Sequence, residues 1–320
     1  MRIPVQLRHS LKRLVFGPND FPQQYAVGMS DPQSEVSVWL NGLGAARDVT
    51  HRHLMACGAP FTIGIGLDRE DDKSRTEHAE LSLQFRQQRG KDRLLGEIGL
   101  RPSSLITVGN QELGLFHVRN YRNYCQCKAR LWARYLQYAY QRSRTSHSDV
   151  PITAAEVHAM IVFYICPRPV VLVSATDGSA NNMFPINLMG TIGGGYFAFA
   201  LKSNTPASAL VERSGFAALS SVPMEQTFLA FSFGKNHRKK SIDWNQLPFP
   251  IRRSAKLGLP VPGFSLRIRE MQIEATRKVG SHTLFLAQTL HDEHLADGPE
   301  FFVVHGLYQA YRVQKLGVIA

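Results

Sequence analysis

The sequence predicts a mainly β protein of two domains, with a barrel in the C-terminal half. With 320 residues, 44% of them apolar, the chain can form two cores at roughly 100–200 residues each. From Pro151 onward, short apolar or alternating segments follow one another with one short helical pattern. Many short strands with a single helix are typical of a closed or partly closed barrel. The polar, charged stretch Arg142 to Asp149 is the predicted linker, so we expect domains at residues 1–150 and 151–320.

The N-terminal half is predicted to be α+β. Residues 1 to about 40 are predicted to form an irregular arm that ends in a strand, Glu35 to Leu40. Apolar residues recur at helical spacing between Cys127 and Arg142, which predicts a helix. Further strands are predicted at Pro60 to Leu67, Leu81 to Phe85, Leu94 to Leu100 and Leu113 to Val118.

The C-terminal half is predicted to contain one helix among many strands. Thr205 to Ser214 should form this helix, because Thr205 is a good N-cap and Pro206 at the first helical position loses no hydrogen bond. Gly193 to Gly195 could cradle a phosphate, but a hairpin turn explains the three glycines without a ligand. The four prolines between Leu247 and Phe264 predict a loop that crosses the barrel. Strands are predicted at 161–165, 169–176, 183–192, 196–201, 216–222, 227–233, 264–279, 283–291 and 301–313.

The formal net charge of +12 favours anionic ligands or partners. The basic residues are spread along the chain without a recognisable nucleic-acid module, so nucleic-acid binding is not the favoured interpretation. Phosphate-bearing cofactors or an acidic partner protein explain the same charge. No apolar run approaches the roughly 20 residues that span a bilayer, and residues 1–16 lack the pattern of a secretory signal. We therefore expect a cytoplasmic protein with no membrane partner.

The four cysteines predict neither a disulfide framework nor a metal site. Cys57 and Cys166 lie in apolar surroundings and should be small buried residues. Cys125 and Cys127 would supply only two ligands, and no second cluster completes a site with the histidines of His51 to His53.

Residues 183 to 208 combine two requirements of a site for a ring-bearing phosphate ligand. A flat, mostly apolar ring needs an apolar slot with a few polar groups, and Met183 to Met189 supplies an apolar strand with Asn187 as its polar member. A phosphate needs a cation and hydrogen-bond donors where a helix begins, and Lys202 to Thr205 offers both. An ordinary solvated N-cap turn explains that turn equally well without a ligand. The predicted contacts are Met183, Phe184, Pro185, Asn187, Leu188, Met189, Lys202, Ser203, Thr205 and Ser208.

Four segments, in their order and spacing, resemble the flavin reductase-like family, whose fold is an FMN-binding split β-barrel. They are Cys166 to Gly178, Met183 to Met189, Gly280 to Thr283 and Leu284 to Gln288. The resemblance extends over about residues 157–311, half of the chain.

The resemblance implies roles for particular residues. Pro185-Ile186-Asn187 would face the flavin, Lys202 to Ser208 would hold its phosphate, and His282 would be the catalytic residue at the flavin or nicotinamide edge. His305-Gly306-Leu307-Tyr308 is similar to the closing pattern of the family, with its glycine shifted. Two features depart from the family: Phe216 to Ser220 lacks the Asn that many members have there, and the Thr that the family has near Ala207 is absent, with Thr205 and Ser208 as possible substitutes.

The function that the resemblance implies is an NAD(P)H-dependent flavin reductase. Its cofactor would be FMN or FAD, with NADH or NADPH as the hydride donor. Family members form homodimers, and reduced flavin would serve an oxygenase or another acceptor protein. The basic loop Gly234 to Lys240 would either meet nicotinamide nucleotide phosphates or be a solvated loop. The alternatives are an FMN-binding protein without reductase turnover and a flavin-free basic interaction module.

A final observation concerns the two halves. Ala45, Ala46, Cys57, Pro60 and Asp68 match five residues of the same types at one constant offset, Ala154, Ala155, Cys166, Pro169 and Asp177. Phe116 to Tyr121 and Phe197 to Lys202 likewise each precede a predicted helix. One hypothesis is that the N-terminal half is a degenerate copy of the split-barrel module, and chance identity is the other. Unrelated strand orders in the two halves would refute the first.

Overall fold

The computed structural model describes residues 24–68, 80–90, 92–144 and 152–318, and most of them lie in β-strands. The helices are α1 (Lys128–Arg144), α2 (Ala154–Phe163), α3 (Pro206–Ser214), α4 (Thr227–Ser232) and α5 (Gly306–Tyr311), with a π-helical turn at Arg312–Leu316. The strands of the first half are β1 (Gln24–Met29), β2 (Val36–Asn41), β3 (Arg47–Asp48), β4 (His53–Gly58), β5 (Phe61–Leu67), β6 (Ser82–Gln87), β7 (Arg93–Val108) and β8 (Gln111–Asn123). Those of the second half are β9 (Arg168–Pro169), β10 (Val171–Thr176), β11 (Asn181–Ile186), β12 (Met189–Gly193), β13 (Tyr196–Lys202), β14 (Phe216–Ser221), β15 (Ile251–Arg253), β16 (Pro260–Pro262), β17 (Arg267–Val279), β18 (His282–His294) and β19 (Glu300–His305).

Two seven-stranded antiparallel sheets form the body of the protein. The first has the order β3-β2-β6-β7-β8-β5-β4, and we call β2 to β8 the N-terminal module. The second has the order β11-β10-β14-β17-β18-β13-β12, and we call β10 to β18 the C-terminal module. Numbered from the first strand of each module, with the separate hairpin β15–β16 left out, the two orders are identical. The N-terminal half is therefore a second copy of the same strand arrangement.

The residue matches that first raised the duplication were wrong. The constant offset placed Pro60, which precedes β5, against Pro169, which precedes β10. The sheet orders instead make β5 the counterpart of β13 and β2 the counterpart of β10. The second predicted match fails for the same reason, because Phe116 lies in β8 and Phe197 in β13.

The two modules share an apolar core. One buried cluster contains Leu54, Leu113 and Leu115 of the N-terminal module together with Ile192, Leu284 and Leu286 of the C-terminal module. The backbones also meet closely. A Cβ atom at Gly66 would lie 2.2 Å from the carbonyl oxygen of Ile192, so only glycine fits at that position. This packing of two copies of one sheet is an internal pseudo-dimer.

The two ends of the described chain lie together. Strand β1 pairs antiparallel with β19 over its whole length, from Gln24 opposite His305 to Met29 opposite Glu300. Beside this sheet the Arg312 guanidinium and the Glu35 carboxylate form a buried ion pair, with a nitrogen–oxygen distance of 2.7 Å. The prediction of an irregular arm up to about residue 40 was therefore wrong for β1, and residues 1–23 lie outside the described part.

Several predicted strands are helices. Residues 161–165 were assigned to a strand, yet α2 extends to Phe163. It begins with a capping box in which Thr153 and Glu156 each bond the backbone of the other, and these bonds favour a helix over an extended chain. Residues 227–233 were also assigned to a strand and form α4, and residues 306–311 form α5 instead of continuing β19.

Other predictions of local structure need smaller changes. The predicted strand Met183 to Met189 is two strands, β11 and β12, separated at Asn187 and Leu188. The predicted loop Leu247 to Phe264 contains the short hairpin β15–β16. The helix predicted at 127–142 is α1, and part of the predicted linker, 145–149, lies outside the described residues. No helix among the described residues is long and apolar enough to cross a bilayer.

Candidate functional site

A groove of about 610 Å³ opens on the C-terminal module between three segments of chain. These are Pro185 to Leu188 between β11 and β12, Ala200 to Pro206 from β13 to the start of α3, and the 3-10 turn with Gly234, His237 and Arg238. His282, the first residue of β18, completes the lining. The groove lies within the range of roughly 300–1,000 Å³ of ordinary small-molecule sites.

The break between β11 and β12 forms one wall. Asn187 donates a hydrogen bond from Nδ2 to the hydroxyl oxygen of Tyr164 at 3.2 Å. Tyr164 is itself nearly buried, and burial raises the pKa of its hydroxyl group. The break therefore places one oriented amide among the apolar side chains of Pro185, Ile186 and Leu188, which suits a flat ring with a polar edge.

The turn between β13 and α3 forms the second wall. Thr205 caps α3, because its Oγ1 accepts from the amide of Ser208 at 3.3 Å and donates to the carbonyl of Lys202 at 2.9 Å. Ser203 is tied to the next strand through Thr283, with 3.0 Å between their hydroxyl oxygens. Asn204 has φ 61°, a left-handed conformation that few residues other than glycine adopt. The turn is thus fixed at both ends, with the partial positive charge of the helix start facing the groove.

Lys202 and Arg238 are the charged residues of the lining, and no acidic residue is among the lining residues. Lys202 is exposed at the end of β13. Two cations beside a helix start make this groove suited to an anion such as a phosphate group.

His282 is held on its inner side by the N-terminal module. Its Nδ1 accepts a hydrogen bond from the backbone N–H of Gly58 at 3.4 Å and lies 3.5 Å from the Cys57 sulfur. Ser281 Oγ lies 2.9 Å from the same nitrogen. Because a backbone N–H can only donate, the neutral ring must carry its proton on Nε2.

His282 is neutral near pH 7. Burial, and then the nearby charge of Lys202, lower the pKa of its imidazole to about 4. Lys202 is its direct partner in the pairing of β13 with β18. His282 therefore offers an Nε2–H donor to the groove, and it is not a protonated acid at neutral pH.

The third wall is fastened to β11. His237 donates from Nε2 to the carbonyl oxygen of Pro185 at 2.8 Å, and Asn236 donates from Nδ2 to the carbonyl of Met183 at 2.9 Å. Burial lowers the pKa of His237. The predicted basic loop Gly234 to Lys240 thus contributes to the groove, and Arg238 is its cation there.

Seven of the eleven predicted site residues line the groove: Pro185, Asn187, Leu188, Lys202, Ser203, Thr205 and His282. The other four do not. Met183 and Phe184 are fully buried in the cores, and Met189 lines a different cleft. The hydroxyl of Ser208 is buried, and its amide is used in the cap of α3. In β11 alternate side chains point to opposite faces, so a whole strand cannot face one ligand.

Several residues of the site were missed by sequence reasoning. Asn204 could have been found, because Asn is enriched where φ is positive before a helix. Cys57 and Gly58 could not, because they are about 225 positions away from His282 in sequence. His305, part of the family-like closing pattern, is structural: it caps α5 through the amide of Leu307 at 3.1 Å and lies 2.9 Å from the hydroxyl of Tyr138.

The two seven-stranded sheets give the protein a split-barrel fold, with the groove on its C-terminal module. Residues 163–316 match the family described as "Flavin reductase like domain". The predicted resemblance over 157–311 and the predicted mainly β, split-barrel fold are thereby confirmed. A comparison with curated proteins found no match.

Three solved structures illustrate the similarity. One is the NADH:FAD oxidoreductase SgcE6 from Streptomyces globisporus C-1027, with 17% identity, a TM-score of 0.41 and coverage of 47% of this chain and 89% of that one. Another is the styrene monooxygenase flavin reductase from Pseudomonas putida S12, with 20% identity, a TM-score of 0.38 and coverage of 45% and 91%. The third is an FMN-binding protein from Thermus thermophilus with bound p-hydroxybenzaldehyde, with 16% identity, a TM-score of 0.38 and coverage of 44% and 82%.

Proposed function

We propose that the groove of the C-terminal module binds a flavin nucleotide, FMN or FAD. The observation that carries this proposal is that one groove joins an apolar strand break with an oriented amide, Asn187, to a cationic helix start, Lys202 to Thr205. The ring would lie against Pro185 to Leu188. The phosphate would lie at the start of α3, where amides and hydroxyl groups can donate to it.

The side chains of the groove also fit such a ligand. The lining contains Lys202 and Arg238 and no acidic residue, so an anionic tail meets no opposing charge. The space of about 610 Å³ is not filled by the protein's own side chains. Asn187 and the Nε2–H of His282 would orient the polar edge of the ring.

We further propose that the protein is an NAD(P)H-dependent flavin oxidoreductase. When bound, the flavin and the nicotinamide supply hydride-transfer chemistry, and the protein supplies binding and orientation. His282 would be the residue at their edge. It would act as a neutral hydrogen-bond donor, because its lowered pKa keeps the imidazolium form scarce above about pH 5. Arg238 would attract the phosphates of NADH or NADPH.

The acceptor of the electrons would be an oxygenase or another protein. A homodimer and a cytoplasmic location also stay predictions. The internal pseudo-dimer supplies within one chain the packing of two modules that a homodimer would otherwise supply.

Titration of the purified protein with FMN, followed by absorbance and fluorescence, tests the binding proposal. We expect saturable binding, and NADH or NADPH oxidation that increases with added flavin. The double variant Asn187→Leu/Lys202→Glu should abolish binding, since it removes the amide and reverses the charge at the phosphate position. Lys315→Glu makes the same charge change outside the groove and should bind FMN like the wild type.

The alternatives predict different results. A flavin-binding protein without turnover would bind FMN yet oxidise neither nicotinamide nucleotide. A flavin-free interaction module would bind no FMN in any variant, and its association with an acidic partner would weaken steeply with salt.

A further inference from the structure

The N-terminal module contains a place equivalent to the groove, and the strand registers identify its residues. Both modules have a register shift at the same point: between Met55 and Cys57 in β4, and between Thr191 and Gly193 in β12. Met55 and Thr191 are the last residues before the shift, so they correspond to each other, and the earlier residues are matched by counting back from them. This alignment places Arg52 at the position of Leu188.

Two further positions follow from the burial pattern and the hairpins. In β5, Ile63, Ile65 and Leu67 face a barrel core, and in β13, Phe197, Phe199 and Leu201 do so. Leu67 therefore corresponds to Leu201, and Asp68 to Lys202. The β7–β8 and β17–β18 turns contain Gly109 and Gly280, with φ 56° and 51°. Counting on from these glycines, Gln111 corresponds to His282.

The charges at these equivalent positions exclude a phosphate. Asp68 replaces the cation Lys202, and Arg52 replaces the apolar Leu188. The two side chains form a bidentate ion pair, with both nitrogen–oxygen distances 3.0 Å. The pairing with Arg52 lowers the pKa of Asp68, so its carboxylate is charged at neutral pH.

The ion pair is also held in position by further hydrogen bonds. Arg52 donates from Nε to the carbonyl oxygen of Ile192 at 2.9 Å and from a terminal nitrogen to Oε1 of Gln111 at 3.4 Å. The positions of Leu188, Lys202 and His282 are thus occupied in the N-terminal module by Arg52, Asp68 and Gln111, and Arg52 donates hydrogen bonds to the other two. The position equivalent to Lys202 therefore carries a negative charge where the groove has a positive one, and the position equivalent to the apolar Leu188 carries the bonded guanidinium of Arg52.

The N-terminal module nevertheless contributes to the open groove. Its β4–β5 hairpin places the N–H of Gly58 and the thiol of Cys57 against Nδ1 of His282. Both contacts hold the ring at Nδ1, and His282 lines the groove. The thiol of Cys57 is buried, and its sulfur accepts a hydrogen bond from the backbone N–H of Ala59 at 3.3 Å, so its position is set by its own hairpin and its proton can be donated to Nδ1 of His282.

We propose that the N-terminal module is a non-binding copy that serves the single flavin groove of the C-terminal module by holding His282. Each chain then binds one flavin, although it contains two copies of the module. This inference rests on the proposed function. The N-terminal half would then take the place that a second subunit has in a homodimer.

The stoichiometry of FMN binding tests whether the equivalent place in the N-terminal module binds flavin. It is measured by titration at protein concentrations well above the dissociation constant. We expect one FMN per chain for the wild type and none for Lys202→Glu, with the melting temperature of that variant unchanged. Asp68→Asn, a charge change at the equivalent position, should still bind one FMN with unchanged affinity.

The other outcomes are distinct. Two FMN per chain, or one FMN retained by Lys202→Glu, would place a site in the N-terminal module and overturn the inference. No binding by the wild type would refute the proposed function itself, and this inference with it.

A second measurement tests the positioning of His282. Cys57→Ala should raise the FMN dissociation constant about 3- to 10-fold, the effect of one lost hydrogen bond, and Cys57→Ser should restore it because a hydroxyl can bond Nδ1. A merely structural role would lower the melting temperature of both variants without this rescue. An affinity for FMN in Cys57→Ala equal to that of the wild type would show that the N-terminal module does not position the ring.

Discussion

At the scale of single residues, the site depends on which nitrogen of His282 carries the proton. Nδ1 accepts a hydrogen bond from the backbone N–H of Gly58, and burial keeps the ring neutral. Asn187 is oriented in a comparable way by the hydroxyl of Tyr164. The imidazole of His282 and the amide of Asn187 are thus both oriented before any ligand arrives, which reduces the entropy that binding would cost.

Two substitutions of His282 should distinguish the effect of its hydrogen bond on activity from the effect of its size. His282→Leu removes the Nε2–H donor and should lower kcat/KM for NADH or NADPH oxidation about 10-fold or more, the effect of roughly 1.5 kcal/mol. His282→Gln retains a donor at similar reach and should keep most of the activity. The check is steady-state oxidation with saturating FMN, and equal activity of His282→Leu and the wild type would remove His282 from the mechanism.

The sequence could predict the residue types of the site but not which side chains face the groove. Lys202, Ser203 and Thr205 were predictable, because a cation, a hydroxyl and an N-cap before a Pro have local signatures. Met183 and Phe184 are buried and do not line the groove, because only the packing decides which face of the predicted strand meets the core.

At the scale of elements, the start of α3 should affect both the stability of the protein and the proposed binding of a ligand. Thr205 caps the helix, and Asn204 holds the preceding turn in a left-handed conformation. The same amides would meet the phosphate of a ligand. A change to the cap should therefore affect both properties together.

Thr205→Ala should destabilise the protein by about 1 kcal/mol, the typical loss of an N-cap side chain, and should also weaken FMN binding. Thr153→Ala is its matched control: it removes the cap of α2, which lies outside the groove lining. It should lower stability by a similar amount and leave FMN affinity unchanged. Urea denaturation and FMN titration of both variants provide the check. Equal FMN affinities in Thr205→Ala and Thr153→Ala would show that the start of α3 takes no part in FMN binding.

Most strands were predictable from apolar runs, and most errors were apolar helices. The segment 161–165 is apolar on nearly all sides because α2 packs between elements, so its periodicity does not distinguish helix from strand. The capping pattern of Thr153 and Glu156 was the available signal. For α4 and α5, six residues each, tertiary packing decides the conformation and no local pattern is long enough to show it.

At the scale of the whole molecule, the duplication explains the two-module architecture. Sheet order and register shifts persist in both modules, while the side chains have diverged. The sequence could therefore indicate a repeat but could not give its alignment. The long-range pairing of strands, which defines the alignment, is not encoded in any short segment.

Buried histidines should make the whole protein less stable in mild acid. Burial lowers the pKa of His53, of His282 to about 4 and of His305 to about 3, whereas the unfolded chain has histidine pKa values of about 6.5. As pH falls below about 6.5, the unfolded chain binds protons that the folded chain excludes, so the free energy of unfolding decreases.

Urea denaturation between pH 7 and 4 measures this effect. Each such histidine should contribute a slope of up to about 1.4 kcal/mol per pH unit below its unfolded pKa. His305→Asn should reduce the slope by about that amount. A free energy of unfolding that is constant or rises on acidification would contradict the burial of these rings.

The location of the flavin site is tested most directly by hydrogen–deuterium exchange of the intact protein with and without FMN. We expect slower exchange on FMN binding at 186–188, at 203–209 around the start of α3, and at 282–283. The equivalent segments of the N-terminal module, 50–53 and 111–112, should be unchanged. Protection confined to the N-terminal module, or to neither module despite bound FMN, would contradict this location.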